Sequence, residues 1–369
     1  VGWVLCFCVW GVGGGVLPSS DEEVWRYSRI GDLDLDRHTP GRVASEVEHG
    51  DLGRATVRRA VDLTGGELDP LPEEGDALVW LHHALLDDVI LIDVPDGAVV
   101  ADPIVVHHSG PADATAAATR LLVRAGADSE VTVVEVFDGG DAGLLLPETV
   151  VHIGGAGRVG YVGLQALSPS TWSIGRLDLS ADAQATVKAG LAGFGGDYAR
   201  VRTSCRLVGR GASGDLLAAY FGDGDQTLDY RTFQEHVAPD TTSNLLFKGA
   251  VSDRSRSVYT GLIKVHAGAR GTNAFQTNRN IKLSEDAWAE SVPNLIIENN
   301  DVHCSHASAV GPIDEEQRFY LESRGVPTQE AERLILAGFF AEVFDQLPPT
   351  ALRARLDAIV ASKLEKVLA

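Results

Sequence analysis

The chain has 369 residues, 44% of them hydrophobic, which suits a soluble globular protein with one large domain or two to three small ones. Its formal net charge of −21, from 52 acidic and 31 basic residues, argues against a nucleic-acid-binding surface and against adhesion to an anionic membrane. Four cysteines are too few for a disulfide framework at this length, so we expect Cys205 and Cys304 to be reduced thiols of a cytoplasmic protein.

Residues 1–17, VGWVLCFCVWGVGGGVL, form an apolar and uncharged stretch. A secretory signal would have a basic segment at its start, and a transmembrane helix would have about 20 apolar residues without a GGG break. The chain also contains no Met. We therefore interpret residues 1–17 as an apolar extension of uncertain role, reflecting a non-standard start or an upstream continuation of the reading frame.

Residues 18–85 are expected to form an irregular, partly helical N-terminal region. The segment DEEVWRYSRI has acidic residues at its start, where a helix dipole favours them, and Trp25 and Tyr27 lie near helical spacing from Val24 and Ile30. Turn signals follow, including Gly65-Gly66.

Residues 86–312 predict a β-rich core domain. Short runs rich in Val, Ile and Thr alternate with Gly, Asp or Asn, and a helical turn is expected only around Ala112 to Arg124. Because no long amphipathic helices separate the runs, a doubly wound parallel sheet is disfavoured. A sandwich, a barrel and a β-helix solenoid remain open, since no strict sequence period distinguishes them.

Residues 313–369 predict a helical C-terminal domain. Asp314 and Gln317 fit a capping box, and Gly325 followed by Pro327 ends the helix, so a short helix is expected over Glu315 to Arg324.

Two further helices are expected after Pro327. Thr328 is the expected N-cap of the first, and Pro349 could lie in the first turn of the second. A wide apolar stripe from Leu352 to Leu368 on the last helix could pack on its own domain or partly on a partner.

The candidate ligands lie just before these helices. On an extended chain, Val302, Cys304 and His306 share one face, and Cys304 and His306 lie about 6–7 Å apart along the strand. Both could then reach one ion or one cluster edge. The alternative is a half-buried Cys that packs as a small hydrophobe beside a surface His, because C-x-H alone is a weak pattern.

Other motifs have plainer interpretations. Gly155, Gly157 and Gly160 show G-x-G-x-x-G spacing, but a predicted strand follows instead of the helix of a dinucleotide site. GDGD at 222–225 predicts a tight turn instead of a calcium loop, and His107-His108 predicts a strand end. The chain has no P-loop motif, so we expect it to bind no nucleotide.

The stretch CSHASAVGPIDEEQRFYLESRG closely resembles the C-terminal signature of the SufB/SufD proteins of iron–sulfur cluster assembly. The shared pattern is C-x-H-x-x-x-x-G-x-x-D followed by FYL-x-SRG. The resemblance is strong over about residues 200–345 and includes Gln226, Asp229 and His236, which we interpret as ordering turns between coils. The chain length and its few cysteines resemble the SufD branch more than the longer SufB branch.

This resemblance implies a mainly β fold with a right-handed parallel β-helix-like core, and a scaffold subunit that is not an enzyme. It implies pairing with a SufB-like chain and docking of a SufC ATPase through the C-terminal helices, with self-dimerisation when the chain is alone. Cys304 and His306 would hold iron or a nascent iron–sulfur cluster transiently, shared with the partner chain. Thiolate and imidazole are ligands that such clusters accept.

Two other functions stay open at this point. One is an extracellular β-helix enzyme acting on acidic polysaccharide, which would have clustered acids with calcium and a basic residue in a groove. The other is a purely structural partner in which Cys304 and His306 are inert.

Overall fold

The computed structural model describes residues 17–59 and 76–367. The predicted extension at 1–17 therefore lies, apart from Leu17, outside the described residues. The strands, in chain order, are β1 Thr39–Pro40, β2 Ser45–Glu48, β3 Thr56–Arg59, β4 Leu86–Val94, β5 Ile104–Ser109, β6 Thr115–Ala125, β7 Glu130–Gly139, β8 Leu144–Ile153, β9 Arg158–Leu167, β10 Trp172–Ala181, β11 Thr186–Gly193, β12 Tyr198–Leu207, β13 Ser213–Gly222, β14 Thr227–His236, β15 Thr242–Val251, β16 Arg256–Val265, β17 Thr272–Lys282, β18 Trp288–Ile297 and β19 Val302–Gly311. The helices are α1 Ala77–Leu85, α2 Glu315–Ser323, α3 Thr328–Phe344 and α4 Arg353–Val367, with short 3-10 turns at Glu23–Trp25, Ile30–Asp32, Leu35–Arg37 and Thr350–Leu352.

The strands wind into a β-solenoid with two facing sheets. The first sheet runs β18-β16-β14-β12-β10-β8-β6-β4-β3, and the second runs β19-β17-β15-β13-β11-β9-β7-β5-β2. Every ladder formed among strands β4 to β19 is parallel, and each coil places one strand in each sheet. The prediction of a mainly β fold with a parallel β-helix core is confirmed.

Apolar side chains that stack in register from coil to coil stabilise the solenoid. Leu179 lies opposite Cys205 in the next coil, and both side chains are buried in the central apolar core between the sheets. Such ladders bury apolar area in every coil while the ladder hydrogen bonds satisfy the backbone. The turns between strands use left-handed residues, such as Gly224 at φ 60° in the GDGD turn.

The helical turn expected around Ala112 to Arg124 is wrong. This segment contains β6, which pairs in parallel with β4 on one side and β8 on the other. Its Ala- and Leu-rich sequence has good helix propensity, but ladder hydrogen bonds on both edges override that preference.

The N-terminal end of the solenoid is capped. β2 pairs antiparallel with β5, and β3 pairs antiparallel with β4, so neither first coil strand leaves its edge open. The segment DEEVWRYSRI forms 3-10 turns and not the expected helix, because Tyr27 adopts φ 63° and breaks the run. Trp25 and Leu81 pack over Ala118 and Leu144 on the outer face of the first sheet.

The C-terminal helices lie on the outer face of the second sheet. Leu336 and Phe340 of α3 and Leu356 and Val360 of α4 are buried in one cluster with Phe221 and other sheet residues. The predicted stripe of α4 therefore packs on its own chain. Lys363 and Lys366 of α4 also bind Asp223 of the GDGD turn.

The helix predicted from the capping pattern is confirmed in α2. Asp314 accepts hydrogen bonds from the backbone N–H groups of Glu316 and Gln317 at 2.9 and 3.1 Å, and Gly325 follows at φ 88°. The expected N-cap of α3 is wrong by one residue, because Pro327 takes that position and Thr328 is already helical. Over residues 17–59 and 76–367, no helix has both the length and the apolar character needed to cross a membrane.

Candidate functional site

Cys304 and His306 lie on β19, which ends the second sheet. Its parallel ladder with β17 places Cys304 opposite Ala274 and His306 opposite Gln276. The prediction of an extended strand with both residues on one face is confirmed, and that face is the inner one, since Ala274 and Gln276 are both buried.

Cys304 is a half-buried thiol at the end of the solenoid core. It packs against an apolar cluster that includes Ile263, Val265 and Ala274. Burial raises the pKa of the Cys304 thiol, and a backbone hydrogen bond from Ala274 opposes this only in part. The protonated thiol is thus favoured in the isolated chain. Cys304 would become the thiolate, which is the form that binds metal, when a metal ion or another cation stabilises the negative charge.

His306 is exposed although it lies on the inner face. Nothing in the described chain covers it, because the solenoid ends at this coil. Next to it along the strand, Ser308 lies opposite the buried Asn278. The solenoid interior is therefore polar at this end and presents His306 and Ser308 to the outside.

The last coil has open edges. Within the described residues, β18 pairs only with β16 and β19 only with β17, in contrast to the capped first coils. The exposed fractions of Ile296, Ile297 and Val310 on these strands are 46%, 44% and 41%. A long uncovered edge with apolar side chains is a site where another strand can pair.

Two of the three residues singled out for turns do order turns. Gln226 donates to the carbonyl of Gly196 at 2.8 Å and accepts from the N–H of Asp223 at 3.1 Å, which joins two stacked turns. The His236 imidazole bonds the hydroxyls of Thr241 and Ser243 at 2.8 and 2.9 Å. Burial lowers the pKa of His236 to about 4.

Asp229 has a different role from the one expected. It is fully buried on the outer face of the first sheet and accepts from Arg200 at 2.8 Å and from Arg231 at 2.6 Å. These two guanidinium groups also donate to the backbone carbonyls of Val24 and Arg26. Asp229 therefore anchors the N-terminal segment, a role that only the tertiary contact reveals.

The remaining motifs behave as the plainer interpretations predicted. Gly155, Gly157 and Gly160 lie in the turn and strand at β9, and the GDGD segment is a turn. His107 and His108 lie near the end of β5, where His107 bonds Asp138 at 2.7 Å and His108 bonds Glu135 at 3.0 Å.

The sequence interpretation missed a group formed by His82, His83 and Glu148. One possible ligand atom from each lies within 4.8 Å of the others. The adjacent histidines in LVWLHHALL were the available signal, but Glu148 belongs to another element, so no spacing rule connects it to them.

Comparison with known proteins agrees with this geometry. The family profile described as SUF system FeS cluster assembly, SufBD core domain, matches residues 107–339, well over half of the chain. This chain belongs to the SufB/SufD family. The matched range begins within β5, ends within α3 and includes Cys304 and His306.

Individual relatives agree with that assignment. The chain is 31% identical over 366 residues to a SufBD family protein of Mycobacterium tuberculosis, covering 95% of this chain and 90% of that protein. It is 30% identical over 302 residues to the iron–sulfur cluster assembly protein SufD of Escherichia coli, covering 80% and 71%. It is 29% identical over 293 residues to SufD of Bacillus subtilis, covering 78% and 67%. These SufB/SufD matches give no support to a polysaccharide-acting enzyme.

Proposed function

We propose that this chain is a non-catalytic, cytoplasmic scaffold subunit of a SufBCD-type complex that assembles iron–sulfur clusters. It pairs with a SufB-like chain through its open last coil and binds a SufC-type ATPase through its C-terminal helices. The observation that carries the proposal is that Cys304 and His306, the predicted ligands, lie on the one solenoid end whose described strands have no cap. The free thiols of Cys205 and Cys304 suit a reducing compartment.

Pairing at β18 and β19 would cover both the unpaired backbone edge and the exposed apolar side chains of this end. A partner strand would satisfy the backbone groups along the open edge, and a partner solenoid would bury Ile297 and Val310 together with the polar inner face. A partner of the same fold is the natural occupant, because its own last coil would present the same strand spacing.

The nascent cluster is the substrate held at that junction. Cys304 and His306 offer one sulfur and one nitrogen ligand, which leaves the coordination of an iron centre incomplete. Ligands from the partner chain would complete it. A site divided between two subunits can open and release its product when the subunits move apart.

The ATPase surface follows from what the C-terminal helices leave exposed. The apolar stripes of α3 and α4 already pack on the second sheet. Phe319 and Tyr320 of α2 and Leu334 of α3 remain exposed by 71%, 58% and 46%. Tyr320 and Leu334 line one groove between α2 and α3. Exposed apolar side chains favour protein binding, so we assign ATPase docking to these two helices.

Reciprocal pull-downs test both contacts. The chain is co-expressed with a SufB-like and a SufC-like protein in two double variants, Ile297→Asp/Val310→Asp at the open edge and Phe319→Ala/Tyr320→Ala on α2. The edge variant should lose the SufB-like chain and keep the ATPase, and the helix variant should do the reverse. Retention of the SufB-like chain by the edge variant would refute pairing at the last coil.

A sedimentation experiment adds a second readout. The native chain alone should self-associate as its concentration rises, because its edges stay uncovered. The edge variant should remain a monomer over the same range, and an unchanged sedimentation profile would contradict the proposal.

A further inference from the structure

A second cluster of metal-binding side chains lies far from the open coil. Helix α1 crosses the outer face of the first sheet against β6 and carries His82 and His83, and β8 below it carries Glu148. His82 and Glu148 are buried and His83 is partly buried. Their candidate ligand atoms all lie within 4.8 Å of one another.

Several polar atoms in this cluster lack partners despite being buried. His82 Nδ1 and both ring nitrogens of His83 have no hydrogen bond among the described residues. Buried polar groups normally have hydrogen-bond partners, because burying one without a partner costs free energy. An ion bound between the two rings and the carboxylate would give a partner to His82 Nδ1 and to one ring nitrogen of His83.

The hydrogen bonding of His82 orients it for such a role. His82 Nε2 lies 3.0 Å from the carbonyl oxygen of Thr119, and a carbonyl can only accept, so Nε2 carries the proton. The lone pair of Nδ1 is then free, and this atom lies 4.0 Å from Glu148 Oε2. A ring N–H donated to a backbone carbonyl is the usual support of a metal-binding histidine.

Two neighbouring arginines limit the affinity of this site for a cation. Arg120 Nε lies 2.9 Å from Glu148 Oε2, and Arg176 Nη1 lies 3.9 Å from Oε1. These cations approach from the sheet while the histidines approach from the helix. Glu148 Oε2, which lies 4.0 Å from His82 Nδ1, also faces Arg120, so an ion bound to this oxygen would use its second lone pair. The positive charge of both arginines weakens the affinity of the site for a cation.

The cluster also opens toward free space. His82 and Glu148 line a cavity of about 310 Å³ that Asp76, Leu78 and Trp25 also border. Zinc binds imidazole nitrogen at about 2.0–2.1 Å, which places tetrahedral ligand atoms about 3.4 Å apart. The ligand atoms, which lie within 4.8 Å of one another, must therefore draw closer to hold the ion, and water from the cavity can fill the fourth position.

We propose that His82, His83 and Glu148 form a binding site for one divalent transition-metal ion of the zinc or ferrous class, held between α1 and the first sheet. Two imidazoles and one carboxylate are the donor set that such ions accept. The site is separate from Cys304 and His306 and does not depend on the proposed assembly function.

Cobalt binding tests the site in the full chain. The starting protein is the Cys304→Ser/His306→Ala variant, so that the two proposed cluster ligands of the open coil are removed. Titration with Co²⁺ should give one equivalent with visible d–d absorption, and Zn²⁺ should displace it. The His83→Ala and Glu148→Gln changes in this background should weaken Co²⁺ affinity by roughly tenfold or more, while His49→Ala, at an exposed histidine outside the cluster, should leave it unchanged.

A second measurement separates lost ligation from lost folding. Paramagnetic NMR of the Co²⁺ form should show a shifted, exchangeable imidazole N–H signal from His82 Nε2, and Zn²⁺ should raise the melting temperature of the background protein but not of His83→Ala. Absence of a stoichiometric Co²⁺ site, or full affinity in a folded His83→Ala protein, would overturn the proposal.

Discussion

His306 lies opposite Gln276 across the last parallel ladder of the second sheet, and the two side chains have contrasting surroundings. Gln276 is fully buried, and neither its amide oxygen nor its nitrogen has a hydrogen-bond partner in the described chain. His306 is exposed one strand further out. The last coil thus exposes side chains that a further coil would bury. A partner chain at this end would cover His306 and could supply hydrogen bonds to this polar interior.

Replacing His306 should affect function more than stability. We expect His306→Ala to impair cluster assembly in cells while its free energy of unfolding stays within about 0.5 kcal/mol of the native value, since an exposed side chain contributes little packing. The measurement pairs a cluster-dependent enzyme activity in cells with thermal melts. His303→Ala is the matched control, because His303 is exposed on the opposite face of the same strand. Full assembly activity in His306→Ala would eliminate the functional role.

The two described cysteines should differ in reactivity. Burial raises the pKa of Cys304 and raises that of the fully buried Cys205 to about 12. Iodoacetamide should therefore modify Cys304 slowly near pH 7.5 and faster as the pH rises, because the thiolate is the nucleophile. Cys205 should stay unmodified until the chain unfolds. Peptide mass spectrometry over time measures both rates, and fast labelling of Cys205 in the folded protein would contradict the buried position.

Removing the charge of Asp229 should loosen the N-terminal segment. Asp229→Asn leaves Arg200 and Arg231 buried beside a neutral amide, and breaking a buried ion pair costs about 3–5 kcal/mol. Urea unfolding should show this loss, and limited proteolysis should cut earlier near Val24. Asp225→Asn is the control, because Asp225 forms an exposed pair with Arg254 and its loss should change little.

Asp229→Asn should also change how the free energy of unfolding depends on acid pH. The two guanidinium groups hold the pKa of Asp229 below its usual value despite the opposing effect of burial. Its stabilising contribution is therefore present above the unfolded pKa of about 3.9 and is lost as the pH falls through the lower folded pKa. The native protein should show this acid loss, and Asp229→Asn should show less of it.

His236 should make the fold sensitive to mild acid. Its folded pKa of about 4 lies below the unfolded value of about 6.5, so the unfolded chain gains a proton first as the pH falls. The free energy of unfolding should fall by up to about 3 kcal/mol between pH 6.5 and pH 4 through this group. His236→Gln should reduce that fall, and His49→Gln, at an exposed histidine, should keep it. Equal slopes in native and His236→Gln proteins would argue against burial as the cause.

Local chemistry in the sequence was enough to predict several elements. The Asp314 cap, Gly325 and Pro327 define α2 because capping depends on neighbouring backbone groups. The alternation around Cys304 predicted β19 and its shared face for the same reason. The signature from Cys304 to Gly325 indicated the family, which in turn supplied the solenoid that periodicity alone left open.

Contacts between distant residues decided what the sequence could not. Ala112 to Arg124 has a helix-favouring composition, but β4 and β8 make it a strand by pairing with both of its edges. Asp229 became an anchor because two arginines and a segment about 200 residues away converge on it. Likewise, His82, His83 and Glu148 meet only because α1 folds onto β8. Short-range sequence patterns determine helix caps and strand faces. Residues that meet only because the coils stack are far apart in the sequence, so no local pattern indicates their contact.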